Sequence, residues 1–119
     1  LIITTSVLFS QKTTIIVREI AKCNRYESQF VGFSGSPSAQ FKRFEKLKII
    51  AEVQELLKLA NEHGNAVVRL YAYDALIEKK EKIPPELKSK LSKDKTVVST
   101  LNGCIGGEKN VGEIILSKH

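Results

Sequence analysis

The sequence predicts an all-α fold of short helices stacked as antiparallel hairpins. Three observations lead there. Residues 66–79 read as one helix behind a polar turn, with Val68, Ala72, Ala75 and Leu76 on a single stripe. The segment before that turn carries Val53, Leu56, Leu57 and Ala60 at the same helical spacing. Residues 57–68 and 87–98 also share a pattern, in which Leu-Lys leads through a polar turn to Val-Val. Units of that kind bury a continuous core only by stacking.

Taken in order, residues 13–23 place Ile15, Ile16, Ile20 and Cys23 near helical spacing and predict a first helix, although the β-branched run at its start favours a strand. Residues 24–35 read as loop. Ser36-Pro37 reads as a helix start, with serine as cap and proline at the first helical position. Phe41, Phe44, Leu47 and Ala51 then share one face. The pattern leaves open whether the chain breaks near Ile50 or runs on as one helix. Gly64 suits a left-handed cap and Asn65 can open the next helix, so a helical hairpin is expected there. Pro84-Pro85-Glu86 is a fresh helix start, with Leu87 and Leu91 as its anchors. Residues 97–104 are expected to form another helix. Val111, Ile114 and Ile115 make a last apolar cluster, as helix or strand.

Length and composition bound the answer further. At 119 residues the chain is at most one compact domain, assigned to residues 11–119. With 42% apolar residues and neither Met nor Trp, the core must rest on Leu, Ile, Val and Ala. The net charge of +6 concentrates in residues 79–95, which hold seven lysines and three acids. Lys79, Lys80, Lys82, Lys88 and Lys90 form a candidate patch for nucleic acid or another anionic polymer. The run lacks the interleaved arginines and aromatics of most nucleic-acid surfaces, and a solvated helix face is the plainer reading.

Residues 1–10 are apolar and uncharged, and they resemble the apolar region of a secretory signal peptide ending at Ser10; a buried strand or helix end is the structural alternative. Export would let Cys23 and Cys104 pair, closing a long loop that stabilises the fold by about 4 kcal/mol. In a cytosolic protein they would serve as small apolar side chains. No C-x-x-C spacing calls for a metal, and no apolar run is long enough to span a membrane.

The segment Val68-Arg69 with Ala72, Ala75 and Leu76, behind the turn His63-Gly64-Asn65, resembles the second helix of a HEAT-type repeat. The likeness covers residues 52–79 well and residues 85–104 poorly. It implies an α-solenoid and a binding surface, and it carries no catalytic residues. In that family the arginine often pairs with an aspartate of the turn. Arg69 matches the arginine, while Asn65 stands where the acid would be, and the second unit has Asp94 but Ser99 in place of the arginine. The chain as a whole resembles small exported helical-repeat proteins of bacteria of unknown role.

Chemistry is sparse. Gly32-Phe-Ser-Gly-Ser36 misses the nucleophile elbow by one glycine, and His63 is the single interior histidine. The glycine-rich stretch from Gly103 to Lys109 lacks the Gly-Lys-Ser/Thr ending of a phosphate loop. Asp74 and Glu78 are neighbours on one helix face, where a carboxylate pair can hold a cation or simply meet solvent. The expected function is therefore non-catalytic, with no cofactor: a small binding or scaffold module for another protein. Arg69, Tyr73 and Asp74 are its candidate contacts.

Overall fold

A computed structural model describes residues 8–118. Six helices run in the order α1 (Gln11–Cys23), α2 (Ala39–Ile50), α3 (Val53–Glu62), α4 (Ala66–Glu78), α5 (Pro85–Ser92) and α6 (Val111–Leu116). Four strands join them: β1 (Arg25–Val31), β2 (Ser36–Pro37), β3 (Val97–Gly103) and β4 (Ile105–Asn110). The strands form one mixed sheet in the order β2-β1-β3-β4. β1 lies parallel to β3, and the other two pairings are antiparallel. The fold is thus α/β, and the expected all-α, HEAT-like stack is overturned by this sheet.

The reason lies in two segments. Residues 24–35, expected as loop, carry β1 and the turn into β2. Residues 97–104, expected as helix, carry β3 and its turn. The β-branched Val97, Val98 and Thr100 suit a pleated surface, and alternation buries Val98 between exposed Val97 and Ser99. Gly103 has φ +62°, which an L side chain rarely adopts, so it turns the chain where a helix would have to continue. The two halves of the apparent repeat consequently differ: Val67 and Val68 sit in the first turn of α4, Val97 and Val98 in a strand.

The helical hairpin at residues 52–79 does form. Its halves, α3 and α4, part at His63-Gly64-Asn65; before them α2 ends at Ala51, and Glu52 with Glu55 makes the capping box that opens α3, the Glu52 amide donating to Glu55 Oε1 at 2.9 Å. Asn65 caps α4 by accepting from the Val68 amide. Gly64 takes no left-handed conformation, contrary to expectation; the α3 end is extended at His63. Ser36-Pro37 is the short β2, and the cap of α2 is Ser38, which accepts from the Phe41 amide at 2.9 Å.

α4 is the centre of the molecule. Residues on all its sides are buried, Val67 and Leu70 as well as the expected stripe. A helix apolar all round needs cover on every side. Here α3, α2, α1, the sheet and α6 supply it. Each fully buried Leu or Val there contributes about 1.5–3 kcal/mol. Tyr71 ties this helix to the sheet: its hydroxyl accepts from the Glu27 amide at 2.8 Å and donates to the Glu27 carbonyl at 3.1 Å.

Residues 1–7 of the expected signal segment lie outside the described residues. Ser10 belongs to the fold: its side chain caps α1, and its amide donates to Glu55 Oε2 at 2.9 Å. Among the described residues, no helix is long and apolar enough to cross a membrane.

Candidate functional site

An open cleft of about 580 Å³ lies between the inner face of the sheet and helices α2, α4 and α6. α2 and α4 pack on β1, while β4 packs on α6 and is exposed along nearly its whole length. Tyr26 on β1 pairs with Thr100 on β3, which pairs with Gly107 on β4, so these three form one row across the sheet. All three line the cleft. Gly107 leaves room at the rim, since a Cβ there would make only ordinary contact with Thr100 Oγ1, at 3.7 Å.

The inner wall is aromatic. The Tyr26 and Tyr71 ring centres are 4.9 Å apart, Tyr71 stacks on Phe44 at 5.2 Å, and Phe41 meets Phe44 edge-on at 5.2 Å. Such pairs add to the burial of their area. Phe41, Phe44 and Leu47 were expected to share a core face; Phe44 and Leu47 are buried, while Phe41 stays half-buried at the cleft wall.

One polar group anchors the floor. The Asp74 carboxylate accepts from the Tyr26 hydroxyl and from Lys118 Nζ, the latter at 2.8 Å. Its side chain is only 12% exposed. Burial raises its pKa above the ordinary carboxylate range, against the opposing pull of Lys118 and Tyr26. Burial, then the neighbouring Asp74 charge, keeps the Tyr26 proton in place far above the ordinary tyrosine range. The Lys118 ammonium also stands 5.5 Å over the Tyr26 ring centre. Glu78, one turn beyond Asp74, pairs with Lys48 Nζ at 2.9 Å.

Of the three candidate contacts, the cleft includes Asp74 alone. Tyr73 is 2% exposed and packs inside the core. Arg69 is engaged twice, donating to the His63 carbonyl at 2.7 Å and to Asp94 Oδ2 at 3.0 Å. It does find an aspartate, in the α5–β3 connection and not in its own turn, so it clamps that connection to α4. Burial opposes ionisation of Asp94, but hydrogen bonds from Thr96 and Arg69 outweigh it and hold the carboxyl below its ordinary range.

The lysines of residues 79–90 divide into two groups. Lys79 Nζ donates to the carbonyls of Lys48 and Ala51 at 3.2 Å each, closing the end of α2. Lys90 Nζ donates to the Asn61 carbonyl at 2.7 Å near the end of α3. These two satisfy helix carbonyls that have no partner within their own helices. Lys80, Lys82 and Lys88 are exposed. Cys23, at the end of α1, and Cys104, in the β3–β4 turn, are both exposed and free, so the structure shows neither the bridge that export would allow nor the buried apolar role of the alternative.

The remaining motifs resolve as turns. Residues 32–36 close β1 onto β2, with the Gly35 amide donating to the Gly32 carbonyl at 3.1 Å. His63 Nδ1 accepts from the Asn65 amide at 3.0 Å, and burial lowers its pKa. Among the described residues, no three His, Cys, Asp or Glu side chains gather as a metal site.

Sequence reasoning missed Tyr26, Thr100, Gly107 and Lys118. A signal for Thr100 and Gly107 was present, since Asn102-Gly103 follows a β-branched run, a hairpin cue; Tyr26 stands in a stretch with no apolar alternation, whose buried position is Glu27. Nothing in the sequence pointed to Lys118. Set against protein-family models and against curated proteins, the chain matches none.

Proposed function

We propose that the chain is a small, non-catalytic binding module, and that the cleft between the β3–β4 hairpin and α4 is where its partner sits. The observation that carries this reading is the cleft itself: an aromatic wall, a half-buried carboxylate and an open rim at Gly107 in one concavity. Concave, largely apolar sites with a few convergent polar groups are the usual seat of ligand recognition. The groups present suit recognition more than reaction. Asp74 is already engaged by Tyr26 and Lys118, and His63 is turned into its own helix cap.

The test is a fragment screen by NMR on the full chain, set beside a Gly107→Trp variant. The indole should fill the rim without backbone strain, because Gly107 has no left-handed φ. Fragments that shift the Thr100, Gly106 and Ser117 amides, and lose that effect in Gly107→Trp, support the reading. Hits confined to other surfaces, or unaffected by the tryptophan, overturn it.

The alternative partner is an anionic polymer at residues 79–95. Lys79 and Lys90 are engaged on helix carbonyls, and Lys80, Lys82, Lys88, Lys93 and Lys95 are exposed. It requires binding that collapses steeply with salt. Export, expected from residues 1–10, is checked by the N-terminal sequence of the native protein. A start at Gln11 supports it, although the mature chain would then lack the Ser10 cap of α1.

A further inference from the structure

The floor of the cleft already holds a cation. Lys118 Nζ lies 2.8 Å from Asp74 Oδ1 and 5.5 Å above the Tyr26 ring, the two contacts by which a primary ammonium is recognised. The seat is built independently of Lys118. The Tyr26 hydroxyl fixes the carboxylate, the Tyr71 ring backs Tyr26 at 4.9 Å, and Tyr71 is itself pinned to the Glu27 main chain. Lys118, by contrast, follows the last turn of α6 outside any helix or strand, and its side chain is 26% exposed. The seat belongs to α4 and β1, while its occupant comes from the residue after the last turn of α6, whose amide donates to the Ile115 carbonyl at 3.0 Å.

We propose that the Tyr26–Asp74 seat is a recognition site for a primary alkylammonium group, and that Lys118 fills it in the unliganded chain. The ligand carries its ammonium on an apolar stem, for which half-buried Phe41 and Ile77 offer the cleft wall as Lys118 withdraws. Direct contact at 2.8 Å requires an N–H donor, so a quaternary ammonium fits less well than a primary one. At the cleft edge Lys48 is shared between Glu45 at 2.8 Å and Glu78 at 2.9 Å, so that edge carries one more acid than base and also favours a cation, while Asp74 is the group that makes the direct contact. A tethered occupant competes at an effective concentration in the millimolar range, and its removal raises apparent affinity accordingly.

This inference rests on the cleft being the binding site, and the experiment separates the two. Wild-type chain, Lys118→Ala and Lys118→Ala/Asp74→Asn are titrated with n-butylamine (charged at pH 7) and with n-butanol, following the Tyr26 ring protons and the Thr100 and Ser117 amides by NMR. N-acetyl-lysine methylamide forms a second arm, distinguishing a lysine side chain from a free amine as the source of the ammonium. Lys118→Ala should bind butylammonium at least about tenfold more tightly than wild type and prefer it to butanol. Asp74→Asn should abolish that preference while the Tyr26–Tyr71 contact persists. Equal affinity of Lys118→Ala for butanol and butylammonium overturns ammonium recognition and leaves the cleft as a binding site. Equal affinity of wild type and Lys118→Ala for butylammonium overturns the role of Lys118. No shift at the cleft with either probe, together with fragment hits that ignore Gly107→Trp, overturns both readings.

Discussion

Gly112 offers the sharpest single-residue test of this architecture. It sits in the first turn of α6, buried against the connection that leaves α5. A Cβ built there would lie 2.5 Å from the Ser92 carbonyl oxygen, 3.1 Å from its carbon and 3.2 Å from the Asp94 oxygen. All three are main-chain atoms, so no rotamer change can relieve the contact. The Gly112 amide also donates to the Asp94 carbonyl at 2.8 Å, and the shift that makes room for a methyl stretches this bond. Overpacking of this kind costs about 1–3 kcal/mol. Weakening the buried hydrogen bond adds about 1 kcal/mol. The Gly112→Ala variant should therefore lose about 3 kcal/mol. At about 2.1 cal/mol/K of unfolding entropy per residue, that is roughly 10 °C in Tm. Gly64→Ala is the control. Gly64 is exposed, has no left-handed φ, and a Cβ there meets nothing within 4 Å. Reduced freedom of the unfolded chain should stabilise that variant by about 0.4–1 kcal/mol. Urea denaturation of both, with thermal melts by circular dichroism, reads the difference. If Gly112→Ala melts within about 2 °C of wild type, α6 does not pack on the α5 end as described, and the placement of Lys118 goes with it.

Other perturbations follow from the same contacts. Ser38→Ala removes the α2 cap and the hydroxyl that donates to Glu27 Oε1 at 2.7 Å, so a loss of about 2–3 kcal/mol is expected in urea melts; a loss below about 1 kcal/mol would show that Glu27 finds other partners. Tyr71→Phe leaves the Glu27 amide and carbonyl without their shared partner and should cost about 2 kcal/mol, with faster hydrogen exchange at the Glu27 amide as a local readout. Asp94 is held below its ordinary pKa, so its contribution is present above the unfolded value of about 3.9 and lost as pH falls through the lower folded one. Urea midpoints of Asp94→Asn should thus be lower than wild type near pH 6 and converge with it near pH 2; a constant offset across that range would count against the Arg69–Asp94 clamp.

Some helix starts were legible from capping chemistry that needs no tertiary partner, as at Asn65 and Pro84-Pro85. Ser36-Pro37 offered the same kind of signal but forms β2, and Ser38 is the cap. The sheet was harder to see because β1 and β3 lie side by side although more than half the chain separates them. Residues 24–31 look like loop until β3 supplies the row of partners that makes them a strand. Gly103 falls within the helix expected over residues 97–104 but is the turn residue of a hairpin, and Gly107 beyond it opens the cleft rim. Tyr73 and Arg69 were expected on a free helix face because a two-layer stack leaves one. A sheet and α6 on the far side leave none, which is why the proposed recognition surface lies at Asp74 and the hairpin. Lys118 acquires its place purely by tertiary folding.

The parallel pairing of β1 with β3 has a consequence for how the protein comes into being. β1 is made well before β3, and the edge that β3 pairs stays bare until β3 has been translated and α2 through α5 have collapsed to bring the two together. Closing so wide a gap in sequence is slow, and an unpaired strand edge invites neighbours in the meantime. A ribosome stalled before Val97 would hold a nascent chain with folded helices and an adhesive border, and that stage is where a chaperone would find this protein.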